Sequence, residues 1–105
     1  MAREKMNQVI LQPYSWISRT LNMPEASNSI LKKKVPAGTK LGAFLAEVAG
    51  AYPEFRKMVF NPETCQMSEH VLVILNNKLI QYGEINELVL QDQDNITLAP
   101  VLFGG

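Results

Sequence analysis

The spacing of apolar and polar positions changes along the chain between the period of a strand and that of a helix. One stretch, between the turn at residues 36–38 and Pro53, repeats every three to four residues and predicts an amphipathic helix of about three turns. Thr39 is predicted to cap its N-terminus through the side-chain hydroxyl, and Pro53 is predicted to begin a short second helix. The apolar positions of the main helix are Leu41, Phe44, Leu45, Val48, Ala49 and Tyr52.

Short apolar runs bounded by turn residues predict the strands. They occupy residues 8–12, 29–35, 71–75, 79–82 and 96–101. Residues 14–21 either extend the first strand or form a loop packed on the core, and both alternatives stay open. Asn76 and Asn77 suit a tight hairpin turn with positive φ, and residues 61–69 are predicted to form a polar loop. Strand pairing should end near Pro100, which has no N–H to donate.

The resulting order of strand, strand, helix and three strands places the chain in the α+β class. We predict the β-grasp fold known from ubiquitin, with a mixed sheet of about five strands packed on one main helix. At 105 residues the chain is long enough for one domain, predicted to span residues 1–105. Residues 101–105 are predicted to be a flexible C-terminal tail.

Charge and composition narrow the classes of partner. Ten basic and ten acidic residues cancel, which argues against a partner that is nucleic acid or an anionic membrane surface. No apolar run approaches the roughly 20 residues that would span a bilayer. Cys65 is the one cysteine, so no internal disulfide forms, and we expect a reducing, cytoplasmic location.

The sequence is poor in residues for chemistry of its own. One cysteine and one histidine, His70, are too few for a usual zinc site or Cys–His nucleophile, and there is no glycine-rich phosphate loop. Asp92 and Asp94 are interpreted as a turn, because they offer too few ligands for calcium. We therefore expect a protein that is not an enzyme and that binds no metal or cofactor.

Glycine stands at both of the last two positions, Gly104 and Gly105, directly after an apolar strand-like run. Without a Cβ, a glycine pair passes through a narrow groove and allows close approach of the backbone. The pattern is typical of a carboxylate that is delivered into the active site of another protein.

The C-terminal third resembles a known family. A hairpin at Leu75-Asn76-Asn77 is followed by the acidic turn Leu90-Gln91-Asp92-Gln93-Asp94 and then by a last strand with Pro100 shortly before Gly104-Gly105. This set is similar to the ubiquitin-like sulfur carriers, which include the small subunit of molybdopterin synthase and the thiazole-synthesis sulfur carrier (MoaD/ThiS-like). The chain departs from the family pattern at residues 14–28 and 61–69, which are extra, at Phe103, where a small residue is usual, and at Gln93, where a glycine is usual.

The resemblance implies that a partner enzyme of the ubiquitin-activating type uses ATP to adenylate Gly105 and that a sulfur source converts it to a thiocarboxylate. The sulfur would pass to the large subunit of a synthase or its equivalent, for molybdopterin, thiamin or another cofactor. The carrier would act as a cosubstrate without catalytic residues. Its tail would consist of Val101, Leu102, Phe103, Gly104 and Gly105.

Other functions and surfaces remain open at this point. A ubiquitin-like modifier joined to lysines and a non-covalent β-grasp adaptor are the alternatives. Leu72 and Ile74, next to Thr97 and Ala99 on the neighbouring strand, either form a docking patch or are covered by Trp16 or a long loop. Residues 32–34, all lysine, either attract an acidic partner, accept a conjugated tail or form the solvated edge of a sheet.

Overall fold

A mixed sheet of five strands forms the framework of the computed structural model, which describes residues 5–24 and 29–101. The strand order is β2-β1-β7-β5-β6. The two central strands, β1 and β7, run parallel, and every other neighbouring pair is antiparallel. The strands are β1 (Met6–Pro13), β2 (Leu31–Pro36), β5 (Val71–Leu75), β6 (Lys78–Ile80) and β7 (Asp94–Pro100).

Three α-helices and a small hairpin complete the described part of the chain. The helices are α1 (Trp16–Thr20), α2 (Leu41–Ala51) and α3 (Pro53–Met58). The hairpin pairs β3 (Phe60–Asn61) with β4 (Gln66–Met67), and a short 3-10 helix covers Tyr82–Glu84. The mixed five-stranded sheet and the main helix confirm the predicted β-grasp class.

One core lies between the helices and the inner face of the sheet. The predicted apolar face of α2 is confirmed, since five of its positions are buried and Tyr52 is half-buried. Alternate residues of the strands complete this core, among them Val9, Leu11, Ile96 and Leu98. Burial of each such Leu or Phe side chain contributes about 1.5–3 kcal/mol to the free energy of unfolding. The packing of α2 on the inner face therefore fixes the orientation of the helix relative to the sheet.

Thr39 does not cap α2, which corrects the prediction. The residue that precedes the helix is Lys40, and no side chain caps it. The Thr39 hydroxyl instead donates to the Pro36 carbonyl at 2.6 Å. Because Thr39 stands one residue too early for the first turn, its hydroxyl stabilises the turn that joins β2 to α2.

Residues 14–21 form neither a longer strand nor a loop, since α1 occupies residues 16–20. Ser15 adopts φ 58°, which turns the chain out of the sheet after Pro13. Ile17 and Leu21 are then buried in the core. Of the two alternatives, the one that packs this segment on the core has the right contacts but the wrong secondary structure, because a helix of five residues is too short for its period to be recognised in the sequence.

Residues 61–69 are not a simple loop, because they include β4 and the end of β3. Asn61 accepts a hydrogen bond from the Glu63 amide at 2.9 Å, and Cys65 has φ 55°. These local turns fold the polar segment back on itself, which alternation of apolar residues does not reveal. The predicted strand at 79–82 is also shorter, since β6 ends at Ile80 and a 3-10 helix starts at Tyr82.

The acidic turn is confirmed and joins three strands. Asp92 accepts a hydrogen bond from the Gln8 amide of β1 at 2.7 Å. Asp94 is buried and accepts from the Gln91 amide at 2.7 Å and from Asn76 Nδ2 at 2.8 Å. Gln93 has φ 68°, a left-handed conformation that glycine adopts more readily than glutamine. Asn76 and Asn77 have φ 50° and 71°, as predicted.

Substitution by alanine should have opposite effects on stability at the two glycines of α2, Gly42 and Gly50. Gly50→Ala should raise the free energy of unfolding by about 0.5–1 kcal/mol, because alanine favours a helix and a Cβ there meets nothing within 4 Å. Gly42→Ala should lower it by about 1 kcal/mol, because its Cβ would collide with Asn86 Oδ1 and break the 3.1 Å hydrogen bond from Asn86 Nδ2 to the Cys65 carbonyl. Urea denaturation measures both, and equal changes would contradict the packing described here.

Candidate functional site

The end of β7 directs the chain towards its C-terminal residues. Pairing extends to Pro100, as predicted, and the next amide, that of Val101, donates to the His70 carbonyl at 2.9 Å. Val101 is half-buried, so the sheet still holds it. Leu102, Phe103, Gly104 and Gly105 lie outside the described residues.

The start of α1 and the start of β5 flank this exit. The Tyr14 amide donates to the Leu98 carbonyl at 2.9 Å, which brings the first residues after β1 beside the end of β7. On the other side, Val71 pairs with Pro100. Because β1 is parallel and β5 antiparallel to β7, the exit lies at the end of the sheet opposite the acidic turn.

Four residues of the paired strands β5 and β7 form an outer-face patch: Leu72, Ile74, Thr97 and Ala99. The register pairs Leu72 with Ala99 and Ile74 with Thr97. All four are half-buried and lie on the face opposite the core, since the residues between them are buried. The predicted adjacency of the four side chains is confirmed, and their role in docking stays a prediction.

Neither expected cover lies over the outer-face patch. Trp16 packs against the core on the inner side and lines a cleft with Arg19, Glu54 and Met58 at α3. The hairpin of β3 and β4 contacts α3 and, through β3, α2. Within the described part of the chain, both segments are therefore on the helix side of the sheet.

The outer-face patch continues across β6 to two residues that the sequence analysis missed. Leu79 pairs with Ile74 and is 57% exposed, and Tyr82 is 43% exposed. A shallow depression of about 460 Å³ lies here, lined by Leu72, Leu79, Ile80, Gln81, Tyr82 and Gly83. The two-residue turn at Asn76-Asn77 already implied the pairing of Ile74 with Leu79, so this neighbour was available from the sequence.

Tyr82 is fixed at the rim of the depression by its hydroxyl, which donates to the Val71 carbonyl at 2.6 Å. Partial burial raises the pKa of Tyr82 above its usual value of 10.0, and the nearby Glu69 carboxylate raises it further. The neutral phenol therefore persists at physiological pH and keeps the 3-10 helix attached to β5.

Other chemistry-bearing residues remain at the surface. Cys65 is exposed in the β3–β4 turn, and His70 is exposed with its Nε2 3.9 Å from a Glu69 oxygen. Across residues 5–24 and 29–101, no three His, Cys, Asp or Glu side chains come together as a metal site. No helix in the same ranges has the length and hydropathy needed to cross a membrane.

Solved structures with the same arrangement are ubiquitin-like proteins. SAMP1 from Haloferax volcanii is similar over 94% of this chain and 100% of its own, with 17% identity and a TM-score of 0.72. Urm1 from Trypanosoma brucei is similar over 98% and 100%, with 17% identity and a TM-score of 0.71. A putative molybdopterin converting factor subunit 1 from Pyrococcus furiosus is similar over 91% and 99%, with 14% identity and a TM-score of 0.68.

These similarities establish the class of fold. The chain has the ubiquitin-like β-grasp fold along nearly the whole length of each of these structures. The resemblance to sulfur carriers, inferred from the C-terminal third, is thereby confirmed for the fold. No protein-family model matches the sequence, and a search of curated proteins finds no match.

Tyr82→Phe tests the attachment of the rim. Loss of the hydrogen bond should lower the free energy of unfolding at pH 7 by about 1 kcal/mol. Because the folded-state pKa of Tyr82 is raised, its contribution is complete below pH 10.0 and is lost as the pH rises through the folded-state pKa. The difference from wild type should therefore shrink at high pH. Tyr52→Phe is the control, since no hydrogen bond of its hydroxyl occurs within the described residues; an equal loss there would contradict the assignment.

Proposed function

We propose that this protein is a ubiquitin-like sulfur carrier of the MoaD/ThiS type. A partner enzyme adenylates the Gly105 carboxylate with ATP, a sulfur source converts it to a thiocarboxylate, and a synthase subunit takes the sulfur for molybdopterin, thiamin or another cofactor. The carrier is a cosubstrate, and the partner supplies the catalytic groups.

The observation that carries this proposal is the position of the glycine pair relative to the last strand. Val101 is attached to the sheet through its amide, and Gly105 follows four residues later. Four extended residues reach about 14 Å, which is enough to enter an active site while the folded body stays outside. The β-grasp fold together with a Gly-Gly pair at this distance favours a delivered carboxylate over an incidental end.

The chemistry needs little from the carrier beyond this reach. A Gly105 carboxylate oxygen attacks the α-phosphate of ATP and pyrophosphate leaves, which gives an acyl-adenylate. Hydrosulfide then adds to the acyl carbon and AMP leaves, which gives the thiocarboxylate. Glycine at 104 and 105 leaves no side chain to obstruct either step, and the partner accelerates both by positioning. The apolar Leu102 and Phe103 anchor the tail at the entrance.

The outer-face patch provides the docking surface in this proposal. It is apolar apart from Thr97, lies outside the core and continues into the depression beside Tyr82. The activating enzyme and the sulfur-accepting subunit bind it in turn, because the carrier must leave one to reach the other. Binding here holds the body of the carrier while the tail reacts.

The state of Gly105 tests the reaction directly. We expect incubation with ATP, an adenylating partner and sulfide, followed by a thiol alkylator, to give an alkylated adduct on the C-terminal peptide by mass spectrometry. Alkylation is necessary because replacing oxygen by sulfur changes the mass of the protein by nearly the same amount as oxidation of one of its five methionines. An unmodified terminus with a competent partner would contradict the proposal.

Gly105→Val and an added residue after Gly105 should both abolish the adduct, because a bulky or displaced carboxylate no longer reaches the α-phosphate. Gly50→Ala on α2 is the control, since a Cβ there meets nothing within 4 Å and the helix lies on the side of the sheet opposite the outer-face patch. Circular dichroism should show the wild-type melting temperature for both tail variants. Normal adenylation of either tail variant would exclude the mechanism.

Leu72→Glu tests the patch. A charge on the apolar surface should slow adenylation by about tenfold or more while the chain stays folded. Met58→Glu places the same charge on α3, at a residue that is 47% exposed, and should leave the rate within about twofold. The rate of pyrophosphate release measures both, and equal rates for the two variants would show that docking uses another surface.

A second function is favoured by two further similar structures, both of small archaeal modifier protein 1. As a modifier, this chain would join Gly105 to lysines of target proteins through the same acyl-adenylate. Covalent high-mass species that require Gly104 and Gly105 would indicate this function. Full activity of a protein lacking both glycines would indicate the non-covalent adaptor instead.

A further inference from the structure

Strand β2 lies at one edge of the sheet within residues 5–24 and 29–101, and its register with β1 shows which of its backbone groups point away from that neighbour. The Ala37 amide donates to the Lys5 carbonyl at 2.8 Å, so this antiparallel pair is hydrogen-bonded. Every second pair of such a ladder is hydrogen-bonded, and the register then assigns the bonds to Val35, Lys33 and Leu31. The N–H and C=O groups of Lys32 and Lys34 therefore point away from β1, along the free edge.

The side chains at this edge carry positive charge on one face. Lys32 and Lys34 are exposed on the outer face, opposite Ile10 and Gln8, whereas the half-buried Lys33 lies on the inner face. Within residues 5–24 and 29–101, none of the three lysines forms an ion pair. The described strand residues on the outer face also include no acidic residue.

We infer that the free edge of β2 binds an acidic, extended segment of a partner protein, which adds to the sheet as a further strand. Main-chain bonds to Lys32 and Lys34 give affinity, and alternate side chains give specificity. Acidic residues on the outer face lie opposite the two lysine side chains, and apolar residues on the inner face lie beside Leu31 and Val35. The segment therefore alternates acidic and apolar positions.

The same features exclude a second copy of this chain as the added strand. Antiparallel addition of β2 to itself places lysine side chains beside lysine side chains, and like charges across strands are destabilising. Lysine at an edge thus prevents self-association while an acidic strand is attracted. Pro36 ends the edge because it has no N–H, and Ile30, 42% exposed, extends it with an apolar contact.

This binding site is independent of the chemistry at Gly105. Strand β1 separates β2 from β7, the nearer of the two strands that carry the outer-face patch, a distance of about 10 Å at the spacing of neighbouring strands. A segment added beyond β2 and a protein on β7 and β5 therefore occupy different parts of the sheet. Loss of one function does not imply loss of the other.

Nuclear magnetic resonance of the full-length protein tests the inference with a defined probe, a capped eight-residue peptide of alternating glutamate and valine. The amides of Lys32 and Lys34 should shift most and exchange more slowly with solvent. The Lys33 amide, already bonded to β1, should change little. Absence of binding would show that the lysines only protect the edge and would overturn the inference.

Two matched charge reversals separate the edge from general attraction. Lys32→Glu with Lys34→Glu should weaken binding about tenfold or more, and a peptide of alternating lysine and valine should bind this variant. Lys57→Glu with Lys78→Glu changes the net charge equally at exposed sites elsewhere and should change affinity less than about twofold. Equal weakening by both variants would overturn the inference.

Two N-methylated peptides test the backbone contacts. Methylation of one alternate set of amide nitrogens should abolish binding, and methylation of the other set should leave it unchanged, because only one set faces β2. If both methylated peptides bind as well as the parent, charge alone is responsible, and strand addition is excluded.

Discussion

The parallel pairing of β1 and β7 is the contact on which the rest of the structure depends. It joins Val9 to Asp94 and Pro13 to Leu98, so residues from the two ends of the described chain meet in the centre of the sheet. Parallel strands require a crossover, and here the crossover contains the main helix and all other strands. Closing such a long loop costs entropy, which burial of α2 against the inner face offsets. The end of β7 therefore leaves the sheet at a fixed place.

The acidic turn before β7 fixes the position at which that strand begins. Asp94 is buried and bonds both the Gln91 amide and Asn76, while Asp92 bonds the Gln8 amide. Hydrogen bonds to carboxylates are stronger than those between neutral groups. The turn thus couples the β5–β6 hairpin and β1 to the beginning of the strand whose other end leads to the glycine pair.

The fold keeps the two proposed interaction surfaces apart. The helices cover the inner face, the outer-face patch lies on β5 and β7, the lysines lie at the edge of β2, and the chain leaves the sheet beside His70. Burial of Val71 and Val73 from one side is what leaves Leu72 and Ile74 on the other. This division suits the proposed carrier function, in which the body stays folded while the end of the chain reacts inside a partner.

The sequence by itself determined the features that depend on local spacing: the apolar face of α2, the turn at Asn76-Asn77, the end of pairing at Pro100 and the adjacency of Leu72 and Ala99 within the patch. Only the tertiary structure decided that α1 forms after Ser15, that residues 61–69 contain strand, that Trp16 lies on the helix side of the sheet and that Tyr82 extends the patch. Periodicity indicates which side chains of one element share a face. The burial of Ile17 and the hydrogen bond from Tyr82 to Val71 instead depend on contacts between different elements, which form only when the chain folds.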